Sequence, residues 1–197
     1  MMESYLPLLA VGIGALAIPL ILISGQKPNV REFWTILAAF IKFGLVLWIL
    51  QLSQNGTVLQ TTLFEIAAGI SIVLRADTFG LYFAIIASGL WIFTSFYSIG
   101  YVRGAGEKHQ TRYFASFALC LTATLGIAFA GNLFTFLLFY ELLTLATYPL
   151  VVHKETSKAI AAGRKYLSYT LVAGLLLVVA TGLIYYQTGS LEFKAGG

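Results

Sequence analysis

One cysteine, two histidines and a charged fraction of only 10% set the first limits on this 197-residue sequence. A lone Cys120 excludes an internal disulfide and a cysteine-based metal site. His109 and His153 stand in different loops between apolar runs and make no metal-ligand spacing. A glycine-rich phosphate loop and a nucleophile–base pair are also missing, so no metal, no cofactor and no ordinary enzymatic chemistry is expected of the chain. The net charge of +4 is no nucleic-acid signal, because the positive charges sit in loops between apolar spans. There is no internal repeat, low-complexity tract or basic leader. Residues 1–5 carry an acid and no Lys or Arg, and no Ala-x-Ala site follows, so the first apolar stretch reads as a retained helix.

What the chain has in abundance is apolar sequence. It is 59% hydrophobic, with a mean hydropathy of +0.87, whereas a soluble domain is about 25% charged. The fold class expected is an all-α integral membrane protein in the lipid bilayer. A helix needs about 20 apolar residues to cross the hydrocarbon core. Six stretches qualify, at about 5–24, 33–52, 79–101, 112–130, 132–152 and 164–186. Ala130-Gly-Asn132 is a tight turn that sets the fourth and fifth helices side by side. Between the second and third lies a different segment, 53–78, rich in β-branched residues and carrying the turn signal Asn55-Gly56. It reads as a short hairpin on the membrane surface.

Lys and Arg positions give a direction. Lys27 and Arg31, then Arg103, Lys108 and Arg112, then Lys154, Lys158, Arg164 and Lys165 fall in the loops of one side, against Arg75 and Lys194 on the other. The positive-inside rule therefore places both termini outside and the basic loops in the cytoplasm, as in a multi-pass protein of the cytoplasmic membrane.

Against that background the charges inside the spans stand out. Glu141 lies halfway along the fifth helix, where an ionised side chain costs at least about 2.5–3.5 kcal/mol on insertion scales. Such a group needs a partner, a wet cavity or a proton, and each of these points to ion movement. Thr144 shares its face at i+3. Tyr140, Thr147 and Tyr148 add hydroxyls, and Pro149 removes a backbone hydrogen bond near the cytoplasmic end. The bland alternative is a glutamate fixed in a structural ion pair.

Lys42 is the second buried charge, about nine residues and so roughly 14 Å from its helix end. It reads equally as the partner of an acid on another helix or subunit and as a lysine at a subunit contact. Arg164 and Lys165 open the sixth helix and face the cytoplasmic half of the fifth. Arg164 reads as an interfacial anchor, and Lys165 as a modulator of Glu141. His153, one turn beyond Pro149, is either a proton relay at the cytoplasmic mouth or an interfacial residue. Glu65, Arg75 and Asp77 of the outer segment read as structural.

Phe139-Tyr-Glu-Leu-Leu-Thr-Leu-Ala-Thr-Tyr-Pro-Leu-Val151 resembles the fifth-helix motif of the antiporter-like membrane subunits. That family includes the large subunits of Mrp-type Na+/H+ antiporters, the D type above all, and the proton-pumping subunits of complex I and membrane-bound hydrogenases. Phe96-Tyr-Ser-Ile-Gly-Tyr-Val-Arg103 is similar to the third-helix exit of that family. Residues 63–80 are similar to its outer hairpin, and Lys158-Ala-Ile-Ala-Ala-Gly-Arg-Lys-Tyr-Leu167 to the entry of its sixth helix.

The resemblance implies that Glu141 is the acid of a buried Glu–Lys pair driving ion translocation, and that Lys165 lies near the cytoplasmic input path. It implies peripheral helices in 1–102 and the start of the translocating repeat in 103–197. It also implies H+ and possibly Na+ as the ions moved. Only the first six helices of the family pattern are matched. The helix bearing the pairing lysine, both broken helices and the second repeat are expected from another membrane subunit of an antiporter or redox complex. The alternatives are a split or truncated gene, or a scaffold that does not transport.

Overall fold

The computed structural model describes residues 1–54, 56–67 and 70–193. Six long helices are present: α1 (Leu6–Ile23), α2 (Pro28–Ser53), α3 (Thr78–Gly104), α4 (Gln110–Ala128), α5 (Leu133–Val151) and α6 (Ser157–Thr188). Each is long and apolar enough to cross a membrane. Their starts follow local chemistry. Pro28 opens α2, where its missing N–H costs nothing. Asp77 accepts from Gly80 N–H at 2.7 Å, Asn132 from Thr135 N–H at 2.8 Å and Thr156 from Ala159 N–H at 3.1 Å, each satisfying an orphan donor at a helix N-terminus. Gly189 ends α6 in the left-handed region at φ 67°.

The expected spans and the observed helices agree within three residues except at the starts of α2, which opens at Pro28 rather than 33, and of α6. Thr156 caps that helix at Ser157, so Arg164 and Lys165 lie two turns inside it rather than opening it.

Helices α1–α4 enclose two apolar clusters. One surrounds Leu59, Leu74, Leu125 and Phe129, the other Ile21, Trp91 and Phe114. The next helix, α5, packs along α4, where Gly126 makes room for the Phe139 ring. Last, α6 packs along α5 and leaves most of its surface exposed.

The hairpin between α2 and α3 is present as β2 (Leu59–Ala67) and β3 (Ile70–Ala76), antiparallel with Leu59 opposite Ala76. The register slips between Thr62 and Phe64 and between Glu65 and Ala67. Ala67 pairs with Ile70 at the far end of the ladder. Gly56, at φ 74°, belongs to the exit from α2. Asn55, residues 68–69 and Lys194 lie outside the described residues. A third strand, β1 (Met2–Glu3), joins β2 in parallel, which the hydropathy pattern does not announce.

The hairpin is tied to the rest of the molecule through β3. Val73 N–H donates to Thr135 Oγ1 at 2.9 Å, Gly131 N–H to Val73 O at 2.8 Å, and Arg75 reaches Glu192 at 3.0 Å. Residues 2–3 and 191–192 therefore sit at the same end of the bundle, as six crossings require. Asn132 is the key to that end: it caps α5 through Oδ1 and donates through Nδ2 to Ser71 O at 2.8 Å. Asn132→Ala removes both bonds from a side chain that is 2% exposed. The expected loss is about 1–3 kcal/mol, read as a lower unfolding temperature in detergent.

At the opposite end, Arg31 is not a loop residue. It lies in the first turn of α2 and is buried together with Glu32. Its guanidinium bonds Glu32 at 3.1 Å and Gln110 at 2.8 Å and covers the Phe114 ring, while Arg103 of α3 closes on Glu32 at 2.7 Å. This Arg–Glu–Arg group clamps α2, α3 and α4 together.

Candidate functional site

Glu141 is half-buried on α5 and aims at α6. The residue opposite is Gly174. A Cβ placed there would overlap the carboxylate, so only glycine lets the two helices close over it. The oxygen Oε1 is buried, and no described residue donates to it. No described cation lies in ion-pair contact with it either. The expected partner of this acid is therefore not among the described residues.

Below Glu141 the α5–α6 seam stays polar. Thr144 is 5% exposed, and its carbonyl accepts from Thr147 Oγ1 at 3.0 Å. The Thr147 hydroxyl is also hydrogen-bonded to the Tyr166 hydroxyl of α6. Gly163 lets α6 approach Tyr148 and Val152. Gly163, Thr170, Gly174 and Thr181 recur at spacings of seven and four and form the narrow side of α6 that meets α5. Sequence reasoning missed Gly174 and Gly163. Their spacing was the signal that could have found them.

The remaining expected residues do not join Glu141. Lys165 is exposed on α6, nine residues before Gly174. At 3.6 residues per turn that places it about 14 Å away along the axis and on the far side of the helix. Lys42 is fully buried in its own chain, so the subunit-contact alternative does not hold. Its Nζ donates to Leu121 O at 3.3 Å and sits 4.9 Å from the centre of the Trp91 ring. Among the described residues no acid pairs with it. Asp77 caps α3 and Arg75 pairs with Glu192, as befits structural residues.

His153 follows α5 in a loop cluster. Arg112 of α4 forms an ion pair with Glu155 and donates to His153 O at 3.0 Å; His109 lies 3.4 Å from Glu155, and Lys154 lies 3.8 Å from Glu107. A cleft of about 540 Å³ opens among these side chains. The His153 ring meets Tyr113 edge-on at 5.5 Å, and both its nitrogens are buried without a partner.

Burial first, then the Arg112 charge, holds His153 below its ordinary value of 6.5. The hydrogen bond from Arg112, foremost, holds Glu155 below the usual carboxylate range. Both groups therefore bind fewer protons in the closed loop than in the open one, and closure is favoured as pH rises. His153 contributes fully above its ordinary value and less as pH falls through its lowered one. Glu155 contributes above the ordinary carboxylate value and is lost in stronger acid. The protection of residues 152–156 against hydrogen exchange, after division by the intrinsic rate at each pH, is expected to fall from about pH 7 to about pH 5. His153→Phe, which keeps the ring contact, should remove that step.

Residues 130–196 match the model of the NADH:quinone oxidoreductase/Mrp antiporter transmembrane family. The chain is 31% identical over 163 residues to a D-type subunit of a Na(+)/H(+) antiporter from Alkalihalophilus pseudofirmus, covering 80% of this chain and 32% of that protein. It is 32% identical over 122 residues to the D-type Na(+)/H(+) antiporter subunit of Bacillus subtilis, covering 61% of this chain and 24% of that protein. It spans about a quarter to a third of the length of these curated relatives. Among solved structures, the membrane-bound sulfane sulfur reductase, an archaeal respiratory membrane complex, contains a chain with the same fold. The TM-score is 0.84 at 18% identity, over 96% of this chain and 39% of that one. Residues 130–196 thus resemble the NADH:quinone oxidoreductase/Mrp antiporter transmembrane family, in a multi-pass membrane chain similar along most of its length to D-type antiporter subunits.

Proposed function

We propose that the chain is a subunit of a multisubunit monovalent cation/proton antiporter of the cytoplasmic membrane, in which Glu141 takes part in moving protons and cations. One observation carries this reading. A carboxylate midway along a membrane-spanning helix is enclosed between α5 and α6, with one oxygen buried and no described donor. An acid kept there at such cost is a functional group by default. On this reading its cation comes from another membrane subunit, which also supplies the helices that complete the path. The exposed flank of α6 leaves room for them.

Thr144, Thr147 and Tyr166 extend a polar seam from Glu141 toward the basic loops. Protons enter from that cytoplasmic side, with His153 at the mouth. Lys165, on the far face of α6, acts only as a distant positive charge. Residues 103–197 carry the ion path, residues 1–102 support it, and both termini face outside. The ions are H+ and, by analogy with the antiporter relatives, Na+.

The test is Glu141→Gln in the native assembly, assayed as cation-driven proton movement in inverted vesicles. Undiminished antiport ends the reading.

The fold likeness to a respiratory membrane complex favours a second reading, a proton-pumping subunit whose redox chemistry lies on other subunits. Vesicles separate the two. A pH gradient raised by an electron donor and not by a cation gradient selects the redox-driven complex.

A further inference from the structure

We propose that Lys42 is a second proton-binding site, enclosed by α1–α4 and independent of Glu141. Its side chain is fully buried near the middle of α2. An ammonium there brings three N–H donors, but the structure gives Nζ one hydrogen-bond acceptor, Leu121 O at 3.3 Å. The nearby Thr122 hydroxyl gives its own proton to Ala118 O at 2.9 Å. Gly14 of α1 leaves the space that Nζ occupies: a Cβ at that position would stand 2.9 Å from Nζ. Over the other side lies Trp91, whose indole N–H, like the Ser95 hydroxyl one turn on, is buried without a partner.

Among the described residues no compensating charge faces this pocket. Helix α1 carries no ionisable residue. On α3, Tyr82, Tyr97 and Tyr101 are mostly exposed, and Arg103 is held by Glu32 at the helix end. On α4, Arg112 is held by Glu155, and Tyr113 stacks on Phe117 and meets His153; Cys120 is a buried thiol. On α2 itself, Arg31 and Glu32 pair with each other.

Packing does not require an amine here, because an unbranched apolar chain of the same length fills the same volume without a buried polar head. What the amine adds is a lone pair that takes one proton, with no other bond formed or broken, in a site where that proton changes the local charge by one unit. Trp91 is the built-in sensor, since its ring lies against the group that changes charge. The route to function is short: α4 carries Leu121 and Thr122 on one side and packs on α5, through Gly126 and Phe139, on the other. That link to transport rests on the proton-transport reading of Glu141, whereas the site itself does not.

The experiment uses the purified full chain with Trp34→Phe and Trp48→Phe, which leaves Trp91 as its one indole. Its emission is followed against pH. The expected result is a single sigmoidal change that disappears with Lys42→Met and persists with Glu141→Gln. In vesicles, Lys42→Met is expected to shift the pH profile of transport by about one unit. A flat Trp91 signal marks Lys42 as a fixed brace for the ring and overturns the proposal. So does a titration lost with Glu141→Gln, which would place the proton on the α5–α6 site. If transport itself fails in the wild-type assembly while Trp91 still titrates with Lys42, the antiporter reading falls and the site stands.

Discussion

Glu141→Gln is expected to lower ion flux at least about 100-fold while leaving the amount of assembled protein unchanged, because removing a group that passes protons costs about that much or more. Glutamine keeps the length, branching and volume of the side chain, so the contact with Gly174 survives. What is lost is the ability to bind and release a proton at that place. The measurement is antiport in vesicles, normalised to assembled subunit. The same variant answers the structural alternative: a carboxylate fixed only in an ion pair would show its loss in assembly and not in flux per complex. Wild-type flux from Glu141→Gln vesicles would sink the transport role.

The second large effect is on stability. Glu32→Ala is expected to cost about 3–5 kcal/mol, because it leaves the guanidinium of Arg31 buried and unpaired. Arg31 and Glu32 side chains are 3% and 7% exposed, and Glu32 also holds Arg103 at 2.7 Å. Arg103, at 42% exposed, keeps access to water and to Asn29, so Arg103→Ala should be milder. Replacing the buried pair together, Arg31→Met with Glu32→Leu, should recover most of the loss, since apolar residues of similar volume often replace a buried ion pair without penalty. The readout is the unfolding temperature in detergent. A Glu32→Ala protein that melts with the wild type would show that the clamp stabilises nothing.

The helices were legible because hydropathy sums over many residues, and a membrane-spanning run survives local exceptions. The hairpin was legible from its β-branched residues, but the strand Met2–Glu3 beside it was not, since two residues carry no pattern. The first turns of α6 were missed because Ser157, Lys158 and the small residues after them lower the hydropathy, although Thr156 is a readable cap. Arg31 was counted as a loop charge, because a sum over basic residues does not distinguish an arginine facing water from one folded back on Glu32. Position within a span pointed to Glu141. Its neighbour across the seam, Gly174, is set by how two helices rotate against each other, which a linear pattern constrains only weakly.

The ties made by β3 have a bearing on assembly. Val73 to Thr135 spans 62 positions of the chain, and Arg75 to Glu192 spans 117. Contacts between such distant partners close late, after helix pairs joined by short loops have already formed. The Val73, Gly131 and Asn132 ties close once α5 is in place, whereas the Arg75–Glu192 tie closes only after α6 has been threaded. The hairpin is therefore fastened in two stages, and the second reports that α6 has been inserted.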